Sequence, residues 1–419
     1  MTKSNYDKFP FVTVHNAAHE CVVGWDQIAV QLQNAIAKTR TKKPIVVVEC
    51  YPGVDELAVM NELQARLAPQ LPVHAAEAYH LPEKIDKLVA PFLGGDDPVS
   101  GHVCPLLVNF FDAEPLWRFR RTIDELKEGL VLIVGCGASL IAWGHILVHA
   151  DLVRREAQQR IRRSETGNLG ANNKSHAANL KFKRAFFVDW RVADRWKRPL
   201  IKRWDYALDT NNPHEPKLAH AEDVRRGLEA AARRPFRLVP LFDPAPGGGK
   251  EDYARCFDGA PEDDSLVLGF GDLRFELPAI DLVFHQPRAL LGETVHARFG
   301  DEVPIRFNFA DAMANFEPLN SGDGWREERA GLPGRELIET RRHSFTKTVR
   351  HDPHGGLNVL NLVQGDEAIV ESPGGRFEPF VVHHAETFIV PAAAGHYSIR
   401  PHGISVGQEL ATIKAFVRT

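Results

Sequence analysis

The chain has 419 residues, of which 44% are hydrophobic and 25% are charged, and its formal net charge is −4. This length exceeds one typical hydrophobic core, so we expect two or three domains in a soluble globular protein. The slight negative charge excludes any general electrostatic reason to expect nucleic acid or an anionic membrane as a partner.

The cysteines and the N-terminus indicate the compartment. Five widely separated cysteines contain no CxxC pair, so the sequence predicts neither a disulfide framework nor a cysteine zinc site. No apolar signal core follows Lys3, which argues against a secretory peptide. Residues 129–150 lack charged side chains, but glycines and histidines interrupt them, so they predict a buried strand and a helix and no membrane span. We expect a cytoplasmic protein.

From residue 22 to about residue 200, apolar runs alternate with amphipathic stretches. The apolar runs predict buried strands at residues 44–49, 73–78, 106–111, 130–134 and 186–189. The amphipathic stretches predict helices at residues 27–38, 54–67, 117–127 and 152–163. This alternation is typical of a parallel sheet covered on both faces. The predicted fold class is therefore a doubly wound α/β domain, expected over residues 1–235, with a polar loop at residues 165–179.

The first strand-to-helix turn is where such a domain would bind phosphate, because free backbone N–H groups and the helix dipole meet there. The turn reads ECYPGVDEL from Glu49, and with the later strand VLIVG it makes the domain resemble uridine-kinase-like P-loop proteins. Asp55 replaces the last glycine of that family's loop, Glu56 the phosphate-binding lysine and Leu57 the magnesium-binding Ser or Thr. Two carboxylates repel a triphosphate. We therefore expect a degenerate P-loop without nucleotide hydrolysis, while unusual binding of a nucleotide or another ligand stays open.

Basic residues are concentrated in residues 151–205, which contain fifteen Lys or Arg against six Asp or Glu. In the kinase family that the domain resembles, an arginine-rich helix forms a lid over phosphates. Arg154, Arg155, Arg162 and Arg163 occupy a similar place and are the candidate anion-binding lid, because guanidinium groups bind phosphate through forked donors. A solvated basic face is the simpler explanation, and nucleic acid has the least support.

The last 80 or so residues predict an all-strand module. Apolar or alternating runs bounded by turn formers occur at residues 357–363, 367–371, 377–382, 387–390 and 396–400, which predicts a small antiparallel barrel or jelly roll. The turn Gly365-Asp366, the segment ETFIVPA from Glu386 and the tripeptide GHY from Gly395 resemble the second half of a cupin barrel. Within the cupins they are similar to class I mannose-6-phosphate isomerases, and residues 290–293 and 299–307 extend the resemblance upstream. We expect a cupin domain over residues 236–419.

The resemblance implies an aldose–ketose isomerase whose zinc is held by Gln, Glu and two His. The family's first two ligands form a Gln-x-His-Pro signature, where this sequence reads DAMANFEPLN from Asp311. The sequence also lacks the insert that would carry the remaining ligands, so ordinary zinc-dependent isomerisation is not expected. His351, His354 and His383 are the remaining metal candidates, and surface or hydrogen-bonded histidines are the simpler explanation.

Polar residues that could line a sugar pocket are Arg306, Asp311, Glu317, Lys347 and Arg350. Three hypotheses follow. The first is a mannose-6-phosphate-isomerase-like protein that acts on or binds a sugar phosphate. The second is a non-catalytic sensor of a sugar phosphate or nucleotide, and the third is an atypical nucleoside-kinase-like phosphotransferase. The sequence decides neither whether the protein is an enzyme nor its oligomeric state.

Overall fold

A computed structural model describes residues 11–15, 17–93, 106–233, 235–237, 265–278, 281, 316–330, 338–353 and 356–417. Three predicted site residues, Arg306, Asp311 and His354, lie outside these described residues. The isomerase-like segments at residues 290–293 and 299–307 lie outside them too.

Strands and helices alternate in the N-terminal half. In chain order they are β1 (Phe11–Thr13), β2 (Val22–Val23), α1 (Trp25–Lys38), β3 (Ile45–Cys50), α2 (Glu56–Leu67), β4 (Leu71–His74), α3 (Pro82–Val89), α4 (Ala113–Glu125), β5 (Val131–Gly135), α5 (Ala138–Ile141), β6 (Ile146–Asp151), α6 (Arg154–Arg162), α7 (Ala178–Arg184), α8 (Trp190–Leu200), β7 (Tyr206–Asp209), β8 (Lys217–His220) and α9 (Ala221–Ala232). Helices α2 and α4 are capped at their N-termini by Asp55 and Asp112, whose carboxylates accept hydrogen bonds from first-turn N–H groups.

Seven of these strands form one sheet in the order β2-β8-β7-β6-β3-β5-β4. The five strands from β7 to β4 in that order pair in parallel, whereas β8 and β2 pair antiparallel at one edge. Alternate residues of β3 divide between two apolar clusters, with Val47 in one and Val46 and Val48 in the other. Both faces of the sheet are therefore covered. The predicted α/β fold class is confirmed.

Two predicted strands of this half are wrong. Residues 107–110 form a 3₁₀ turn whose Leu107 and Phe110 are buried. Residues 185–189 form a π-helical turn that joins α7 to α8. A short apolar run suits a buried helical turn as well as a buried strand, so periodicity alone could not separate them. Within the described residues, no helix is long and apolar enough to cross a bilayer.

Three further strands follow α9: β9 (Phe236–Arg237), β10 (Ser265–Phe270) and β11 (Leu273–Pro278). The last two pair antiparallel, and β10 pairs in parallel with β1 near the start of the chain. The buried side chains of Leu268 and Phe275 belong to the same apolar cluster as Val224 and Leu228 of α9. This small sheet therefore packs with the α/β half.

The remaining strands are β12 (Glu317–Gly322), β13 (Trp325–Ala330), β14 (Ile338–Phe345), β15 (Val349–His351), β16 (Asn358–Gln364), β17 (Glu367–Glu371), β18 (Phe380–His383), β19 (Thr387–Val390), β20 (Tyr397–Pro401) and β21 (Leu410–Val417). Together with β9, which pairs with β19, they form two antiparallel sheets, in the orders β12-β13-β14-β21-β16-β19-β9 and β15-β20-β17-β18. We call this pair of sheets the C-terminal barrel. The predicted antiparallel architecture is confirmed.

The barrel core is built from both sheets. Phe345, Leu360 and Leu410 of the larger sheet share one buried apolar cluster with Val370 and Ile399 of the smaller sheet. The predicted turn between β16 and β17 is present. Its glycine has a φ of 91°, which side-chain-bearing residues rarely adopt. The alternating apolar residues of these strands thus form the inner faces of two sheets, which pack against each other.

Candidate ligand-binding site in the C-terminal barrel

One part of the barrel interior is polar. Antiparallel pairing places His343 of β14 between Glu327 of β13 and Thr412 of β21, and it places Arg341 opposite Lys414. Residues two apart on a strand share a face. These side chains therefore lie on the same side of the sheet as the core phenylalanine and leucine that end β14 and begin β21.

Glu327 and His343 form a hydrogen-bonded pair with a defined proton arrangement. His343 Nε2 lies 3.0 Å from Glu327 Oε1, and Arg341 donates to the same oxygen at 2.8 Å. The hydrogen bond from His343 is the main cause that lowers the pKa of Glu327 to about 2, while burial lowers the pKa of His343. An ionised carboxylate only accepts, so Nε2 carries the hydrogen and Nδ1 presents a lone pair.

His351, Tyr397 and Asn358 continue the polar region toward the smaller sheet. The His351 ring lies edge-on to His343, with ring centres 4.5 Å apart, and it stacks on Tyr397 at 4.9 Å. The Asn358 amide donates to the Tyr397 hydroxyl at 2.9 Å. Burial, with the nearby charge of Lys414 as a smaller cause, lowers the pKa of His351 well below its usual range. His351 is therefore neutral at physiological pH.

Lys414 is the buried cation of this region. Its residue is only 2% exposed, and its Nζ has no ion pair or hydrogen bond with any described residue. The nearest aromatic contact is the Phe416 ring, whose centre is 5.2 Å from Nζ. Burial lowers the pKa of Lys414 to about 8; the negative charge of Glu327 opposes this shift, and the positive charge of Arg341 adds to it. A buried ammonium without a carboxylate partner is costly, because it loses hydration without compensation.

Several buried polar atoms of this region have unused hydrogen-bonding capacity. Those without a partner among the described residues are His343 Nδ1, both ring nitrogens of His351, Asn358 Oδ1 and Thr412 Oγ1. Buried polar atoms are nearly always paired in folded proteins. Acceptors and hydroxyl groups concentrated at one place can bind a ligand rich in hydroxyl groups, and Lys414 supplies a positive charge for an anionic one.

The zinc centre that the isomerase resemblance implies does not fit the described residues. His343 commits Nε2 to Glu327, whose oxygen also accepts from Arg341. In the described parts of the chain, no group of three or more His, Cys, Asp and Glu side chains could hold a metal ion. A protein zinc site needs three or four such ligands. The described residues therefore do not form the zinc site of the isomerases.

The described residues that were predicted to line a sugar pocket lie at the protein surface and not in the barrel interior. Glu317 is exposed on β12 and accepts from Arg329 at 3.1 Å. Lys347 is exposed beside Asp323, and Arg350 is exposed on β15. The metal candidate His351 points into the barrel. The other described candidate is His383, whose Nδ1 lies 3.3 Å from Oε2 of Glu386, three residues further along the chain.

The sequence predictions missed most of the polar region. Glu327, His343, Asn358, Thr412 and Lys414 were not named as candidates. A usable signal exists in β21, where Thr412 and Lys414 share strand parity with the buried Leu410. Polar residues at core parity predict a polar interior, but their partners lie on strands distant in sequence.

Two carboxylates, those of Asp55 and Glu56, stand at the first strand-to-helix turn of the α/β half. Asp55 caps α2 by accepting from the Ala58 N–H at 3.0 Å. Glu56 accepts from the Cys136 N–H at 2.9 Å and from His74 Nε2 at 2.8 Å. The hydrogen bond to Glu56 raises the pKa of His74. Of these donors only the Ala58 N–H belongs to the first turn of α2, and there the Asp55 carboxylate takes the place of an anion.

Two of the predicted lid arginines make defined ion pairs. Arg154 donates to Asp194 at 2.7 Å and lies over the Trp190 ring at 4.5 Å. Arg163 bonds to Glu156 and Glu165. Of the other two, Arg155 is half-buried and Arg162 is exposed. Their role in binding an anion stays a prediction.

A second buried network lies near the carboxyl end of β6. Lys197 of α8 forms ion pairs with both Asp151 and Asp281, and all three side chains are at most 3% exposed. Burial raises the pKa of Asp281 to about 7, whereas Lys197 and His149 lower that of Asp151 to about 2 against the effect of burial. His149 stacks on Trp204 with ring centres 4.3 Å apart. The paired charges and deep burial indicate a structural role.

The structure therefore defines a protein with a mostly parallel α/β domain and an antiparallel two-sheet barrel that carries a buried polar region. The chain belongs to the family described as "Domain of unknown function (DUF8485)", whose model matches residues 24–233, half of the chain. No curated protein matches this chain.

Solved structures share similarity with about a quarter of the chain. The apo mannose 6-phosphate isomerase from Salmonella typhimurium is 14% identical with a TM-score of 0.19, over 24% of this chain and 22% of that chain. The Bacillus subtilis mannose 6-phosphate isomerase is 9% identical with a TM-score of 0.20, over 25% and 29%. A cupin superfamily protein from Desulfitobacterium hafniense is 13% identical with a TM-score of 0.19, over 24% and 84%. The match spans less than a third of either isomerase, and at these scores it carries no argument about activity.

Proposed function

We propose that the C-terminal barrel binds a sugar phosphate in its polar interior, as a mannose-6-phosphate-isomerase-like protein without zinc chemistry. The observation that supports this proposal is the set of buried polar atoms without partners on His343, His351, Asn358 and Thr412. Sugar hydroxyl groups donate and accept hydrogen bonds, so a bound sugar would satisfy such atoms. The positive charge that Lys414 brings to this interior would favour a phosphorylated sugar over a neutral one.

The ligand class also follows from the sequence resemblance to class I mannose-6-phosphate isomerases. Turnover would need a general base, and His343 has the right form, because its Nδ1 lone pair is free and Glu327 fixes the ring. A non-catalytic sensor is the alternative within the same site. A nucleotide in the α/β half has less support, because Asp55 accepts a first-turn N–H of α2 and Glu56 stands where the kinase-like family has its phosphate-binding lysine.

Thermal-shift and calorimetric titrations test the binding proposal. Mannose 6-phosphate, fructose 6-phosphate and glucose 6-phosphate would be compared with mannose, inorganic phosphate and ATP, each with and without EDTA. A ligand at a hundredfold its dissociation constant stabilises the folded protein by about 2.7 kcal/mol. We expect at least one sugar phosphate to stabilise the protein, with EDTA having no effect.

Matched variants locate the site. His351→Phe and Thr412→Val remove interior polar atoms with little change of shape, whereas Lys347→Met and Arg350→Met remove the exposed candidates. We expect the interior pair to weaken sugar-phosphate binding and the exposed pair to leave it unchanged. No stabilisation by any sugar phosphate, or binding that only the exposed pair weakens, would contradict the proposal. Following the conversion of mannose 6-phosphate to fructose 6-phosphate in the same samples separates an isomerase from a sensor.

A further inference from the structure

Three lysines of the described chain are almost completely buried, and two of them have partners. Lys197 pairs with Asp151 and Asp281. Lys181 donates to the Lys174 carbonyl at 2.6 Å and to the Ser164 hydroxyl at 3.3 Å. Lys414, at 2% exposure, makes no ion pair or hydrogen bond with a described residue, although the charges of Glu327, Glu339 and Asp352 act on it from a distance. Buried lysines are almost always paired, so Lys414 departs from the rule that the other two follow.

The burial of Lys414 increases the fraction of its amine that is neutral and therefore nucleophilic. Burial lowers the pKa of Lys414 to about 8, so about one amine in ten is neutral at pH 7, against about one in 2,500 for an ordinary exposed lysine. The neutral amine is a nucleophile toward carbonyl carbon, and desolvation is a known means of activating it. The lowered pKa of Lys414 therefore favours attack of its amine on a carbonyl carbon.

The neighbours of Lys414 include a base that can accept its proton. Register places Lys414 diagonally next to His343 on the interior face of adjacent strands, which is within reach of long side chains. The free Nδ1 of His343 is a base held in position by Glu327. Arg341, the direct cross-strand neighbour, has a side chain 21% exposed, so the row of side chains that includes Lys414 extends to the protein surface.

We infer that Lys414 forms an imine with the carbonyl group of its ligand, which identifies the ligand class as open-chain aldose or ketose phosphates. This inference rests on the proposed sugar-phosphate function and deepens it. The neutral amine attacks the carbonyl carbon and forms the C–N bond. The carbonyl oxygen then leaves as water with the two amine protons, so an amine and a carbonyl give an imine and water. His343 Nδ1 accepts the proton that the lysine ammonium loses beforehand.

Reductive trapping tests the inference on the whole, unmodified protein. The protein is incubated with glyceraldehyde 3-phosphate or mannose 6-phosphate and cyanoborohydride, digested and mapped by mass spectrometry. We expect Lys414 to gain the mass of the ligand less one oxygen atom, saturably and ahead of exposed lysines such as Lys347. From the neutral fractions, the intrinsic advantage of Lys414 at pH 7 is about two hundredfold.

Variants separate an imine from a merely structural lysine. Lys414→Arg keeps the positive charge and cannot form an imine, so it should abolish trapping at this position while keeping affinity for sorbitol 6-phosphate, which has no carbonyl. His343→Gln should slow trapping more than it weakens sorbitol 6-phosphate binding. Because the modified position is mapped on the wild-type protein, the test stands even if a variant does not fold.

The outcomes distinguish the inference from the proposed function. Sugar phosphates that bind without modifying Lys414 would overturn the imine and leave the binding function standing. Trapping of unphosphorylated glyceraldehyde at Lys414 without binding of any sugar phosphate would support the imine-forming lysine and overturn the proposed ligand. Modification spread over exposed lysines in proportion to their exposure would overturn the imine.

Discussion

Replacement of Lys414 by methionine is expected to stabilise the protein at neutral pH, although it removes a buried side chain. Methionine keeps the length of the aliphatic stem and removes the ammonium. The pKa of Lys414 falls from 10.5 to about 8 on folding, chiefly through burial. Each pKa unit corresponds to about 1.4 kcal/mol. Holding the charged lysine in the native barrel therefore costs about 3 kcal/mol at pH 7, and Lys414→Met should recover about 2–3 kcal/mol of it.

The sign of the pH dependence follows from the same pKa. Below pH 8 both the native and the unfolded lysine are protonated, so the full cost is present. Between about pH 8 and 10.5 the native lysine loses its proton while the unfolded one keeps it, so the unfolding free energy of the wild type rises with pH. The variant lacks this step. The stability difference between the two proteins should therefore shrink toward zero near pH 10.5.

Urea denaturation of both proteins at several pH values from 7 to 10 measures this difference. The carboxyl groups of Glu327, Glu339 and Asp352 and the guanidinium of Arg341 also act on Lys414, but they are present in both proteins. Lys347→Met, at an exposed lysine, is the matched control and should change stability by less than about 0.5 kcal/mol. A Lys414→Met protein that is less stable at pH 7, or a difference independent of pH, would refute the reasoning.

Three further predictions concern other parts of the fold. Lys197→Met leaves Asp151 and Asp281 buried without their cation. It should lower the unfolding free energy by about 3–5 kcal/mol in urea denaturation. If Lys197→Met stabilised the protein as Lys414→Met is expected to do, the distinction between the paired Lys197 and the unpaired Lys414 would be wrong. Asp55→Ala removes the cap of α2 and should cost about 1 kcal/mol by the same measurement, with Asp55→Asn recovering most of it. Gly365→Ala should destabilise the protein by about 1–3 kcal/mol, because φ is 91° and the new Cβ would lie 2.5 Å from Leu410 Cγ; an unchanged melting temperature would show that the turn adapts.

The limits of local sequence patterns are visible in the α/β half. Residues 44–49 were correctly predicted as a strand, because a run of β-branched residues bounded by a proline favours that structure. Residues 106–111 and 186–189 were wrongly predicted as strands. An apolar run specifies burial, but tertiary packing selects whether the buried backbone is extended or helical.

The sequence by itself determined the strands of the barrel where alternation and turn residues agree. Residues 367–371 and 387–390 were predicted with the bounds that β17 and β19 have. Only the tertiary structure decided the polar interior, because Glu327, His343 and Lys414 come from three strands spread over most of the barrel's sequence. Parity along one strand is local information. Which strands become neighbours, and in which register, depends on packing of the whole barrel, and that packing places an unpaired lysine beside a histidine base.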